Sequence, residues 1–192
     1  LQFPVLFLGA KPEQTPAFYN FMNYADFGLG TWHPKGGMIQ IVNAMVSLAE
    51  ELGVCFHTEA AVDEIITNNK KATGIRVGDK IHEADIIISG ADYHHTESLL
   101  QASLRGYSEA YWKKKVFAPS SLLFYMGIDK KLDNLAHHNL FFDVDFDQHA
   151  SSIYDTPEWP KEPLFYVNLP STSDQTMAPE GKEACFILIP IA

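Results

Sequence analysis

The chain carries eight histidines, so metal binding is the first chemistry to weigh. Neither His94-His95 nor His137-His138 has the i, i+4 spacing that sets two imidazoles on one helix face, and His33, His57, His82 and His149 stand alone. Without an HExxH or a paired CxxC, the histidines read as structural or surface residues, and no metal is expected. Asp143, Asp145 and Asp147 alternate but lack the glycine and terminal glutamate of an EF-hand loop, so they read as a solvated acidic loop. Cys55 and Cys185 are flanked by apolar residues and read as small buried hydrophobes in a reducing compartment. Nucleophilic catalysis has no candidate: no Gly-x-Ser-x-Gly elbow is present and neither cysteine sits in an electropositive setting. Gly28-Leu29-Gly30 is half of a dinucleotide fingerprint, but His33 stands where the third glycine belongs and no strand precedes it. What remains is Gly30-Thr31-Trp32-His33-Pro34-Lys35-Gly36-Gly37-Met38, whose proline and paired glycines allow a sharp turn and close approach to another group.

The elements around that stretch must position it. Met38, Ile39, Ile41, Val42, Met45, Val46, Leu48, Ala49 and Leu52 predict a helix over 37–52 with a wide apolar stripe, ended by Gly53 and buried. Upstream, Thr15-Pro16 followed by Phe18, Phe21, Met22 and Ala25 predicts a helix over 15–27, and residues 1–10 an irregular lead-in. Downstream, strands are predicted at 54–57, 73–77 and 80–83, the last two joined by the Gly78-Asp79 turn. The β-branched run 84–90 predicts a central strand covered on both faces, and Asp92 a cap for a helix over 93–101. After residue 119 the pattern becomes strand-rich and aromatic, with strands at 120–129, 139–142, 164–168 and 185–189 separated by prolines. These alternations make the fold class α/β.

Length and composition bound the rest. A chain of 192 residues with 46% hydrophobic content supports a core, and no apolar run approaches the length of a membrane span. The net charge of −10, with no basic run longer than Lys113-Lys114-Lys115, argues against nucleic acid as a partner. The start at Leu1 without an initiating methionine or a basic leader carries the expectation of an internal piece of a longer, cytoplasmic protein.

Several segments, in order, resemble the FAD-dependent phytoene and carotenoid desaturases of the amine-oxidase-like flavoproteins. Residues 30–38 are similar to the family's G-x-W/Y-x-P-x-G-G-M segment before a helix. Glu50–Val54 with Val62–Ile65, Ala84–Asp92, and Ser121–Gly127 with Asp129-Lys130-Lys131 resemble further family passages, as do residues 137–142, 166–171 and 178–181. The resemblance covers nearly the whole chain. It implies part of a Rossmann-like FAD-binding domain over 36–105, and a strand-rich mixed-sheet substrate domain formed by 1–35 and 106–192. It implies FAD as cofactor, with Val62 giving a backbone contact to adenine and Gly90 and Ala91 approaching the cofactor. Close strand–helix packing is the alternative at those two positions.

Trp32, His33, Pro34, Gly36 and Gly37 would lie against the substrate, a long apolar isoprenoid in a dry tunnel. His33 is the only residue of the motif able to handle a proton near pH 7. Because the pyrophosphate-binding glycine motif is absent from this chain, the piece alone is expected to be inactive. A membrane-derived substrate implies peripheral membrane association of the longer protein. Two other readings stand beside desaturation: a related flavoprotein (carotenoid isomerase, retinol saturase or amine oxidase), and an isoprenoid-binding module without catalysis.

Overall fold

A computed structural model describes residues 10–116 and 119–192. In chain order these form helices α1 (Phe21–Tyr24) and α2 (Ile39–Glu51), strands β1 (Glu64–Asn68), β2 (Lys71–Val77) and β3 (Lys80–Glu83), and helices α3 (Tyr93–Ser98) and α4 (Glu109–Trp112). Strands β4 (Ser120–Ile128) and β5 (His138–Phe141), helix α5 (Phe146–Tyr154), and strands β6 (Phe165–Asn168) and β7 (Glu183–Ile191) follow. The described residues divide into two compact units: those up to Leu52 with those from 119 onward, and Gly53–Val116. By packing, α2 goes with the larger unit, whereas the sequence reading counts it with the cofactor-binding part. The lead-in expected over residues 1–10 lies, apart from Ala10, outside the described residues.

The larger unit is built on one sheet of strand order β4-β7-β6-β5, and each of its pairs is antiparallel. The pleat separates two faces, because successive side chains alternate. On one face Val167, Cys185 and Leu169 are buried, with Ile187, Phe141 and Phe165 packed against them. The rings of Phe141 and Phe165, directly opposite in the β5–β6 register, stack with centroids 4.6 Å apart. On the other face the register aligns Tyr125, Phe186, Asn168 and His138 in one row across the four strands.

The three aspartates are exposed, as expected, but only Asp143 lies in a loop, because helix α5 is capped by Asp145 and includes Asp147. Asp145 is its N-cap, accepting from the amides of Asp147 (2.7 Å) and Gln148 (3.1 Å). The helix buries His149, Ala150 and Ile153, a stripe too short for its periodicity to stand out between polar neighbours. The His149 ring takes the Leu164 amide on Nδ1 (3.0 Å) and so donates from Nε2 to the Pro190 carbonyl (2.9 Å), pinning α5 to the end of β7.

Upstream, the expected helix over 15–27 is broken into a 3-10 turn (Ala17–Asn20), α1, and a π turn (Ala25–Leu29). The Tyr24 ring lies over Gly28, where a Cβ would meet it at 2.7 Å, and Gly30 with φ 87° ends the segment. Helix α2 forms where expected, but its apolar stripe is exposed: Met45 is 68% and Leu48 58% accessible, so the expectation of burial fails.

The smaller unit is a three-stranded meander, β1-β2-β3, with the Gly78-Asp79 turn joining β2 and β3 as the sequence predicts. Asp92 caps α3 through the His95 amide. Glu97, 4% exposed, accepts from the Gly106 amide (2.7 Å) and Trp112 Nε1 (3.1 Å), tying α3 to α4. Two predicted strands are absent, since residues 54–57 and 84–90 have no ladder partner among the described residues. A run suited to a doubly covered strand needs parallel neighbours, and without them Ile86 and Ile88 are 78% and 89% exposed. Cys55 is exposed as well, against the expectation of burial; Cys185 is buried.

Candidate functional site

The turn expected at the Gly30–Met38 stretch is closed by the Gly37 amide donating to the Pro34 carbonyl at 2.9 Å. Its third residue, Gly36, has φ 85°, the conformation a type II turn demands and a side chain resists. Gly37 has φ 86° and is buried, and a Cβ there would stand 3.1 Å from the Met177 thioether. The turn therefore sits tightly against residues 174–177, and Trp32 and His33 emerge from its N-terminal side.

The fixture is Asp174, which sequence reasoning missed. Its carboxylate is 7% exposed, and its two oxygens face different elements. Oδ1 accepts from the Thr176 amide (3.0 Å) and hydroxyl (2.7 Å), capping the helical turn Gln175–Met177. Oδ2 accepts from the Gly36 amide at 2.6 Å and lies 3.3 Å from His33 Nε2. The Thr176 hydroxyl, followed by the Gly36 and Thr176 amides, holds this carboxyl well below the usual carboxylate range against the opposing pull of desolvation. His33 Nε2 is buried and close enough to feel that charge, yet is not aligned for a hydrogen bond to it.

Beyond His33 the imidazoles continue. The His137 ring lies edge-on to His33 at 5.0 Å and 4.4 Å from His138. His137 pairs through Nδ1 with the Ser173 hydroxyl, and burial, then its neighbours His138 and His33, push its pKa down. His138 Nδ1 meets the Tyr166 hydroxyl, which also accepts from Asn168 Nδ2 at 2.9 Å.

These groups border a cavity of about 800 Å³ beside strands β4 and β7 of the sheet. Trp32, Met38, Tyr125, Met126 and Phe186 give it an apolar wall, and His33, His137, His138 and Asn168 a polar margin. Such a space accepts a long apolar molecule and offers hydrogen-bonding groups along one edge, with the Glu183 carboxylate also in its lining. Of the residues expected to touch substrate, Trp32 and His33 line the cavity. Pro34, Gly36 and Gly37 do not; they build the turn that carries those two. Among the described residues no group of three His, Cys, Asp or Glu is placed to hold a metal ion.

The residues expected near a cofactor, Val62, Gly90 and Ala91, belong to the smaller unit. Val62 is half-buried just ahead of β1, and its backbone N–H and C=O have no hydrogen-bond partner among the described residues, which suits the edge of an adenine. Gly90 and Ala91 are exposed, with nothing within 4 Å of where a Gly90 Cβ would stand. The N-terminus of α3 is no pyrophosphate cradle, because the Asp92 carboxylate already occupies it. The Val62 backbone thus fits the base edge of a dinucleotide, and the α3 N-terminus does not fit its pyrophosphate.

An α/β chain with a sheet-roofed apolar cavity and a free backbone edge for a base points to a flavoprotein oxidoreductase. The sequence from residue 1 to 184 matches the family of flavin-containing amine oxidoreductases, and the chain belongs to that family. It is 41% identical over 197 residues to the carotenoid 3,4-desaturase of Haloarcula japonica and 34% over 193 to a zeta-carotene-forming phytoene desaturase of Myxococcus xanthus. All of this chain aligns in both cases, but it spans only 39% and 37% of those relatives. A 1-hydroxycarotenoid 3,4-desaturase of a Flavobacterium species is 30% identical, matching 94% of this chain and 37% of its own length. An oxidoreductase structure from Methanosarcina mazei superposes on all of this chain and 42% of its own, with TM-score 0.67 and 24% identity, showing the shared fold. No described helix is long and apolar enough to cross a membrane.

Proposed function

We propose that the chain is part of a longer FAD-dependent desaturase that introduces double bonds into a long isoprenoid, a carotenoid or its precursor. The observation that carries this reading is the apolar cavity walled by Trp32, Met38, Tyr125, Met126 and Phe186, in a chain whose curated relatives are carotenoid and phytoene desaturases. Desaturation breaks two C–H bonds on adjacent carbons: one hydrogen leaves as hydride, the other as a proton, and the remaining electron pair forms the C=C bond. A bound flavin supplies the hydride acceptor.

The protein's part is to hold an uncharged chain in place and keep water away. The apolar wall gives a hydrocarbon its burial without asking for a charged partner. His33, which lines the cavity beside the Asp174 carboxylate, would take the proton. Val62 would meet the adenine edge with its backbone, and Gly90 and Ala91 would leave room for the cofactor to pass. A substrate of this kind resides in lipid, so the longer protein would meet it at a membrane surface.

The test is product analysis with the complete reading frame that contains this chain. Purified with flavin and an electron acceptor, it should convert phytoene or a hydroxylated carotenoid to a product two hydrogens lighter with longer-wavelength absorption. A product of unchanged mass with altered geometry would indicate an isomerase instead. Oxidation of amines but of no carotenoid would indicate an amine oxidase.

A further inference from the structure

We propose that Asp174 is the positioning residue of this site: its carboxylate ties the Gly36 turn, which carries His33, to the Gln175–Met177 helical turn, fixing where His33 stands at the cavity. The inference rests on the desaturase reading for the role of His33, but the tie itself is visible in the geometry. The division of labour between the two oxygens carries it. Capping a helical turn needs one acceptor, and Oδ1 supplies that alone with bonds of 3.0 and 2.7 Å to Thr176. Oδ2 is free of the cap and faces a segment 138 residues away, accepting from Gly36 at 2.6 Å and lying 3.3 Å from His33 Nε2.

A carboxylate this buried is costly unless its lone pairs are filled, and here two of its acceptor contacts come from the cap and one from the turn. The same segment makes a second grip one residue earlier, where Ser173 pairs with His137. Residues 173–176 thus hold His137 directly and His33 through its turn, the two rings meeting edge-on at 5.0 Å. The glycines make the approach possible: a side chain at Gly37 would press on Met177, and Gly36 takes the positive φ of the turn whose amide meets Oδ2.

Asp174→Asn separates the two oxygens. With its amide oxygen kept on Thr176, the variant retains the cap, and its NH₂ group then confronts the Gly36 N–H, donor against donor. In the complete flavin-loaded protein, Asp174→Asn should speed hydrogen exchange of the Gly36 amide tenfold or more. It should also lower the limiting rate of anaerobic flavin reduction by about tenfold to a hundredfold, the scale of a slightly misplaced reacting group. The carotenoid concentration giving half the limiting rate should change less than threefold, and flavin content should match the wild type. Asp174→Glu, which restores the charge on a longer arm, should recover part of the rate.

Unchanged exchange at Gly36 overturns the proposal whatever the activity. So does a rate loss that only follows loss of flavin or of thermal stability in both variants. A wild-type protein whose flavin no carotenoid reduces contradicts the desaturase reading instead, and the Asp174 tie is then decided by Gly36 exchange alone.

Discussion

His33 shows what a residue type can and cannot say by itself. As a lone histidine in a turn it has no chemistry; its context comes from Asp174, His137 and the apolar cavity, all contributed by segments distant in the chain. The motif was legible because glycine and proline constrain the backbone locally: Gly36 and Gly37 both take the positive φ that their identity permits. Asp174 was not legible. Its sequence, Ser173-Asp174-Gln175-Thr176, advertises only a capped turn, and nothing local reports that its second oxygen reaches Gly36. With His33 as proton acceptor, His33→Ala in the complete protein should lower the limiting rate of flavin reduction by about a hundredfold or more. Stopped-flow absorbance of the flavin checks this, and a variant as fast as the wild type would remove His33 from the chemistry.

Elements that close on themselves were readable; elements that need a distant neighbour were not. The β2–β3 hairpin, the Asp92 cap of α3 and the span of α2 all follow from local signals at Gly78, Asp92 and Gly53. Residues 84–90 carry a strand's composition, but a strand exists only beside a partner, and Ile86 and Ile88 remain open. Helix α5 was hidden because its anchoring depends on contacts beyond itself, the His149 ring bonded to Leu164 and Pro190. That anchor has a pH signature. His149 is 2% exposed, and burial pushes its pKa below the ordinary 6.5, with only the Pro190 bond opposing. The unfolded chain takes up a proton near 6.5 that the folded ring resists, so this contribution to stability is complete above that pH and is lost as pH falls below it. Thermal melting of the protein should drop between about pH 7 and pH 5. His149→Leu should be less stable by about 1–3 kcal/mol at neutral pH, because the Leu164 amide and Pro190 carbonyl lose their partner. It should also show a flatter pH dependence; an equally steep one would place the acid sensitivity elsewhere.

At the scale of the molecule, the larger unit carries an apolar-walled cavity, and in the smaller unit the Val62 backbone has no partner among the described residues. The chain spans about two fifths of the length of the desaturases it matches. The exposed stripe of α2 and the unpaired run 84–90 are surfaces of core composition, which rarely stay bare in a working protein. The strand-rich, aromatic character after residue 119 was readable from composition, while the pairing of its strands and the cavity beside them were not. On the proposed function, this cavity presents a hydrocarbon for two-electron oxidation by flavin. Anaerobic titration of the complete, flavin-loaded protein with phytoene or a hydroxylated carotenoid measures it most directly. The account predicts bleaching of the oxidised flavin absorbance, with one new double bond formed for each flavin reduced. Flavin that stays fully oxidised with saturating carotenoid bound would contradict it.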